Sequence, residues 1–271
     1  MKTAFNSTKL LIGAVASSFI ISCGGVPEET TTTTTETPAF SVAEVLEMVS
    51  KENDVTRTLY TKAIVGGGKK QGMKFDEAWM DEAVEAGPLP ALFLRGISND
   101  IRKGDVPLGL YLGSDFPINA SNLLEGKQAE LYKTIKEDRK PQFFYDEEAK
   151  VHTAMFADVA GAPACVSCHN KHEQTTKSDW KLGDVMGATT WQYPKESLSY
   201  AEAMDVLKAY RDGTAAVYKD YLKEISEFKT SDKPEIGDKW PSAGFYLPSP
   251  EVFLDSVREL ASYETMKSLM K

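Results

Sequence analysis

The sequence predicts an α+β protein. Three observations predict this class: apolar residues recur at helical spacing in several stretches, other stretches are short and rich in β-branched or aromatic residues, and Gly and Pro separate them. The predicted order is helix, strand, helix and then antiparallel strands over residues 41–195. A helical C-terminal extension is predicted over residues 196–271.

The composition is that of a globular protein. Of the 271 residues, 42% are apolar and 26% are charged, which excludes a mostly disordered, collagen-like or polytopic membrane protein. The formal net charge is −9 and no segment is strongly basic, so nucleic acid is not expected as a partner. With only three cysteines and three histidines, few side chains can bind a metal.

Residues 1–22 are predicted to be a lipoprotein signal peptide. Lys2 and Lys9 precede an apolar run over residues 10–21, which is too short to span a bilayer as a helix. The run ends in Ser22 and Cys23, which resemble a bacterial lipobox, so Cys23 is the predicted lipidation site. An ordinary signal peptide with a chance cysteine is the alternative.

Residues 23–40 are predicted to be a threonine-rich tether. They contain six consecutive threonines at residues 30–35 and too little apolar surface to offset the entropy of folding. We therefore expect a domain held by its N-terminal lipid on the periplasmic side of a bacterial membrane. Gly24 after the cysteine favours the outer membrane.

The first folded elements are predicted to be helical. Ser41 and Glu44 have the spacing of a capping box and start a helix over residues 41–63, which the glycines at 66–68 are expected to break. A second helix is predicted over residues 76–86.

The central elements are predicted to form a sheet with one helix. A helix is predicted over residues 123–137. Four strands are predicted, over residues 108–112, 143–145, 151–159 and 185–191. Gly183 and Gly187 are expected at a turn or a close backbone approach. In the extension, a loop over residues 231–248 precedes a helix that begins with Ser249 and Pro250.

One motif carries the chemistry. Cys165, Cys168 and His169 form the C-x-x-C-H pattern of c-type haem attachment. Two thiols at this spacing add to the two vinyl groups of one haem, and the histidine then binds the iron. The alternatives are a zinc site that adds His172, a thioredoxin-like redox pair and a small disulfide loop.

The surroundings of this motif resemble the Tll0287-like haem domains. Residues 114–122 (SDFPINASN), 156–165 (FADVAGAPAC) and 181–188 (KLGDVMGA) resemble three family segments in the same order. The resemblance implies a PAS-like antiparallel sheet with flanking helices that carries one covalent haem c, and a redox or sensing role. Some members take a second axial ligand from a cysteine in a helix that corresponds to residues 78–86. Here that segment contains no cysteine, and Ala83 lies near the expected position.

The sixth iron ligand is therefore open. His152, on the strand before the motif, and Met80, one turn from Ala83, are the candidates, with Met155 and Met186 weaker. A water-bound or empty position is equally compatible with the sequence.

Two function classes follow. The first is a lipid-anchored monohaem cytochrome that transfers or senses electrons, with an acidic surface suited to a basic redox partner protein. The second is a haem-based module that binds a small gas such as NO or CO. A peroxidase-like enzyme is the weaker alternative, because His152 is the only candidate for a distal acid–base group.

Overall fold

A computed structural model describes the backbone of residues 39–269 and the side chains of residues 39–263. Within these residues the chain is mixed helix and sheet, which confirms the α+β prediction. The predicted signal peptide and almost all of the predicted tether lie outside the described residues.

The chain begins with strand β1 (Ala39–Ser41) and helix α1 (Val42–Leu59). The capping box is present, because Glu44 N–H donates to the Ser41 hydroxyl and Ser41 N–H donates to the Glu44 carboxylate at 2.8 Å. The predicted break at residues 66–68 is wrong. A π-helical segment (Tyr60–Gly66) and helix α2 (Gly67–Lys70) continue the helix. Gly68 is buried, and a Cβ there would lie 2.9 Å from the Met73 sulfur, so glycine serves packing rather than chain reversal.

The predicted helix over residues 76–86 is also wrong. Short strands β2 (Phe75–Asp76) and β3 (Gly87–Pro88) pair in parallel, and turns connect them. The side chains of Asp76 and Asp81 accept hydrogen bonds from backbone N–H groups two residues ahead, at 2.9 and 3.0 Å. These local bonds compete with helical ones and hold the segment in turns. We call residues 77–86 the bridging loop.

Helix α3 (Pro90–Ile101) follows and was not predicted. Pro90 is at its first turn, and Phe93, Leu94 and Ile97 are fully buried.

The central sheet has four antiparallel strands. In chain order the elements are β4 (Gly109–Gly113), a 3₁₀ turn (Ala120–Asn122), α4 (Gly126–Asp138), β5 (Gln142–Asp146), β6 (Val151–Val159), α5 (Pro163–Lys171) and β7 (Val185–Tyr193). The strand order is β4-β7-β6-β5. The four predicted strands and the predicted helix between the first two are confirmed.

Two glycines define the start of β7. Gly183 has a φ of +88°, and a Cβ at Gly187 would lie 2.5 Å from the carbonyl oxygen of Gly113 on β4. The predicted turn and close-approach roles are therefore confirmed. The pairing of β6 with β7 shifts register between Asp158 and Val159, immediately before α5.

The C-terminal elements complete the core. They are β8 (Ser197–Ser199), α6 (Tyr200–Glu227), β9 (Glu235–Gly237), a 3₁₀ turn (Pro241–Ala243), β10 (Tyr246–Pro248) and α7 (Pro250–Leu269). β1 pairs with β8, and β9 pairs with β10.

One large cluster of buried side chains joins the predicted domain and its extension. It contains Val45 of α1 and Trp191 of β7 together with Tyr210 of α6 and Phe253 of α7. The division at residue 195 stays a prediction, but both parts share this core. Among residues 39–269, no helix is both long enough and apolar enough to cross a bilayer.

Candidate functional site

Helix α5 carries the haem-attachment motif. Cys165, Cys168 and His169 lie at positions i, i+3 and i+4, which places the three side chains on one helix face. Pro163 is in the first turn, and His172 is the C-terminal cap, with its N–H donating to the Cys168 carbonyl at 2.9 Å. None of the helix residues is buried, and both thiols are free and half-buried.

Contacts with Trp180 hold α5 in place. The Asn170 side-chain amide donates to the Trp180 carbonyl and its oxygen accepts from the Trp180 N–H, both at 2.9 Å. Trp180 is 6% exposed and packs in a small buried cluster with Ala160 and Met186. The partly buried Cys165 packs against this cluster. The Trp180 indole N–H is buried and has no partner among the described residues. Asn170 and Trp180 thus hold α5 in place. The side chains of Cys165, Cys168 and His169 are half-buried, whereas Ser167 and Lys171 of the same helix are exposed.

His169 and His172 have different surroundings. Burial lowers the pKa of His169, which favours the neutral imidazole that a metal requires. His172 Nδ1 accepts from the Gln174 N–H at 3.1 Å, so Nε2 carries the proton and donates to the Glu77 carboxylate at 3.1 Å. His172 therefore holds the bridging loop instead of joining His169.

The zinc alternative requires both histidines and both thiols around one ion. In the part of the chain that the structure describes, no group of three or more His, Cys, Asp or Glu side chains is arranged to hold a metal. The engagement of His172 with Glu77 gives the physical reason.

A charged cluster lies beside the motif. Arg57 of α1 donates to Asp158 at 2.6 Å and to the Thr189 hydroxyl at 3.2 Å. Asp54 lies one turn before Arg57 and is partly exposed to solvent. The surrounding protein desolvates its carboxyl, which together with the negative charge of Asp158 raises its pKa to about 6. Asp158 also acts electrostatically on His169, and Cys165 acts on Arg57.

The Cys168 thiol lies close to the start of the bridging loop. Burial raises its pKa, and the nearby Glu77 carboxylate raises it further. Thioether formation requires reduced cysteines, and both Cys165 and Cys168 are free.

The structure does not bring His152 to the motif. His152 is at the beginning of β6 against the Tyr145 ring, with ring centroids 4.9 Å apart. At about 3.3 Å per residue, it lies roughly 23 Å from Val159 at the end of the strand next to α5.

Met80 lies in the bridging loop, three residues after Glu77. It is 71% exposed in the bridging loop, which Glu77 joins to His172. Met155 is fully buried under α4, and Met186 is 8% exposed beside Trp180. Cys23 lies outside the described residues.

Several site residues were missed by the sequence analysis. Arg57 and Asp158 are 101 residues apart, and Glu77 and His172 are 95 residues apart. No local pattern connects such pairs. One sequence signal was available for Trp180: a tryptophan between the motif and the next predicted strand indicates a buried contact near the motif. The structure places Trp180 in the cluster against which Cys165 packs.

Comparison with known proteins agrees with this geometry. A family model described as Tll0287-like matches residues 26–194, which is more than half of the chain. The chain belongs to the Tll0287-like family. The match includes α1, the bridging loop, the whole sheet and α5, so the resemblance inferred from three short segments is confirmed. The family suggests a haem c-type cytochrome-like domain. No curated protein and no solved structure was found to match the chain.

The residues of α5 fit a covalent haem in this Tll0287-like domain. The donor set is two free thiols and one imidazole on a single face, and none of the three side chains is fully buried. A haem needs only this set from the chain, with at most one further ligand, whereas a structural zinc ion needs four ligands.

Proposed function

We propose that this protein is a monohaem c-type cytochrome that transfers or senses electrons. The observation that carries the proposal is that Cys165, Cys168 and His169 lie together on one face of α5, with both thiols free. The two thiols would form the covalent links, and His169 would bind the iron. Bound haem c supplies an iron that changes its oxidation state by one electron.

The chain's own residues have distinct tasks in this proposal. Asn170 and Trp180 fix α5 in place, so that the thiols and the imidazole keep their relative positions. The Arg57–Asp158 pair places fixed charge beside the site, which influences the reduction potential. The antiparallel sheet with helices against it supports the PAS-like fold that the resemblance implies.

We further propose Met80 as the sixth ligand. The Glu77–His172 contact keeps the bridging loop next to α5, whereas His152 lies at the other end of β6. A thioether ligand raises the reduction potential compared with a second imidazole, which suits an electron carrier.

A small-gas sensor is the second candidate. The observation that favours it is the exposure of Met80, because a ligand on an exposed loop exchanges more easily than one held in the core. The distance of His152 from the motif disfavours the peroxidase-like alternative.

We also propose that the domain is anchored by a lipid on Cys23 at the periplasmic side of the membrane, in the outer membrane, and meets a redox partner protein there. Support comes from the lipobox resemblance and the haem motif, because haem c is attached on that side of the bacterial membrane.

Carbon monoxide distinguishes the two candidates. The visible spectrum of the reduced, haem-loaded protein is recorded with and without CO for the wild type, Met80→Ala and the control Met204→Ala. Met204 is another exposed methionine, on α6, with 39% exposure against 71% for Met80. An electron carrier with Met80 on the iron gives a CO-induced Soret shift only in Met80→Ala. A full shift in the wild type, unchanged in Met80→Ala, supports the sensor instead.

A further inference from the structure

The bridging loop has contacts at both ends with different parts of the molecule. At its start, the Glu77 carboxylate accepts from His172, the residue that caps α5. At its end, Glu85 reaches the chain segment that follows α6, in the C-terminal extension. The loop thus lies between the haem-attachment helix and the extension.

The Glu85 carboxylate is saturated by hydrogen bonds from the extension. One of its oxygens accepts from the N–H groups of Lys229 and Thr230, at 2.5 and 2.9 Å. The other accepts from the Thr230 hydroxyl at 2.6 Å and the Ser231 N–H at 2.7 Å. Successive backbone N–H groups that converge on one anion form a nest, and these bonds hold the pKa of Glu85 well below its ordinary value.

The backbone of Glu85 is fixed in an unusual conformation. Its φ is +42°, in the left-handed region that side chains other than glycine seldom adopt. Such a conformation persists only where surrounding contacts enforce it. The four hydrogen bonds from residues 229–231 are the contacts that do so.

The Glu85 side chain lies at the edge of solvent-open clefts. Clefts of about 370 and 290 Å³ are lined by both Glu85 and Phe228. Buried Trp79 and Ala86 anchor the backbone of the bridging loop on either side. The Glu85 carboxylate itself is held by its hydrogen bonds to residues 229–231.

We infer that Glu85 is a positioning residue through which the C-terminal extension holds the bridging loop in place over the haem side of the molecule. The inference rests on the proposed function, since it concerns the loop that carries Met80. It assigns the extension a role: the segment after α6 sets the position of Met80, and thereby the reduction potential and the accessibility of the iron.

The test uses the full haem-loaded chain. In Glu85→Gln, the amide nitrogen replaces an acceptor oxygen and faces donors, so two of the four bonds are lost. The matched control is Glu82→Gln in the same loop, whose carboxylate contacts only the exposed Lys229 ammonium at 3.2 Å. The readouts are the midpoint potential and the rate of CO binding to the reduced protein. We expect Glu85→Gln to lower the potential and to speed CO binding about tenfold, with Glu82→Gln unchanged.

Two further variants keep the outcome decisive. Thr230→Val removes one donor from the extension side, on an exposed segment, and is expected to produce the same change in smaller measure. If Glu85→Gln and Thr230→Val both match Glu82→Gln while Met80→Ala lowers the potential, the inference is overturned and the proposed ligand stands. If Met80→Ala changes nothing while Glu85→Gln lowers the potential, Met80 is not the ligand, but the positioning role of Glu85 is supported.

Discussion

At the scale of single residues, His169 and His172 are separated by three positions but have different tasks. His169 lies on the same face of α5 as the two thiols and burial lowers its pKa, whereas His172 donates to Glu77. His169→Ala should convert the haem to a high-spin state, because the iron loses its imidazole. His172→Ala should leave the bond between His169 and the iron intact, so its visible spectrum should change far less than that of His169→Ala. It should cost less than about 1 kcal/mol of stability, as expected for a contact with a partly exposed carboxylate.

The visible spectrum of both variants, with denaturant unfolding, checks this prediction. Equal spectral damage from the two substitutions would contradict the roles assigned here and would favour a site that uses both histidines.

Asp54 predicts a particular pH dependence of stability. Its pKa rises from 3.8 to about 6 on folding, so the folded state holds its proton to higher pH than the unfolded state does. Between these values stability falls as pH rises, and the full cost remains above pH 6. Asp54→Asn should therefore stabilise the protein at pH 7 and have little effect at pH 3.5.

Urea unfolding of wild type and Asp54→Asn over this pH range measures the difference. A stability gain that is the same at both ends of the range would show that the Asp54 carboxyl is not perturbed.

At the scale of elements, the close approach of β4 and β7 depends on Gly187. A Cβ there would lie 2.5 Å from a backbone oxygen that cannot move without breaking the ladder. Gly187→Ala should cost about 1–3 kcal/mol of unfolding free energy. Gly104→Ala is the control, since its nearest neighbour would be 3.5 Å away in ordinary contact.

Thermal or denaturant unfolding compares the two variants. If Gly187→Ala were as stable as Gly104→Ala, the register of β4 against β7 would have to differ from the one described.

The elements that the sequence predicted correctly are those whose signals are local. The β6 strand and the capping box of α1 follow from alternation and spacing within a few residues. The helix over residues 76–86 was wrong because the Asp76 and Asp81 side chains satisfy the backbone locally, which a periodicity count does not register.

The candidate site likewise contains residues that the sequence could identify and residues that it could not. Cys165, Cys168 and His169 form a local motif and could be identified from spacing alone. The Arg57–Asp158 pair and the bonds from Glu85 to the segment after α6 join residues more than a hundred positions apart. Only the packing of α1 and α6 against the rest of the fold brings such residues together.

At the scale of the whole molecule, the predicted lipid anchor and the folded body should be separable. Cys23→Ser should leave the far-ultraviolet circular dichroism unchanged but move the protein from the membrane to the soluble fraction. Each buried methylene of a lipid chain contributes about 0.8 kcal/mol to membrane binding, and this contribution would be absent. Fractionation after a high-salt wash measures the result, and continued retention of the variant would contradict lipidation at Cys23.

The central claim is one covalent haem on α5, and the most direct measurement is haem staining after denaturing electrophoresis of protein produced with a cytochrome c maturation system. We expect a stained band for wild type and for Cys23→Ser, and no stain for the Cys165→Ala, Cys168→Ala double variant, because both thioether bonds are then absent. A colourless wild-type protein that contains zinc, or stain that persists in the double variant, would contradict it.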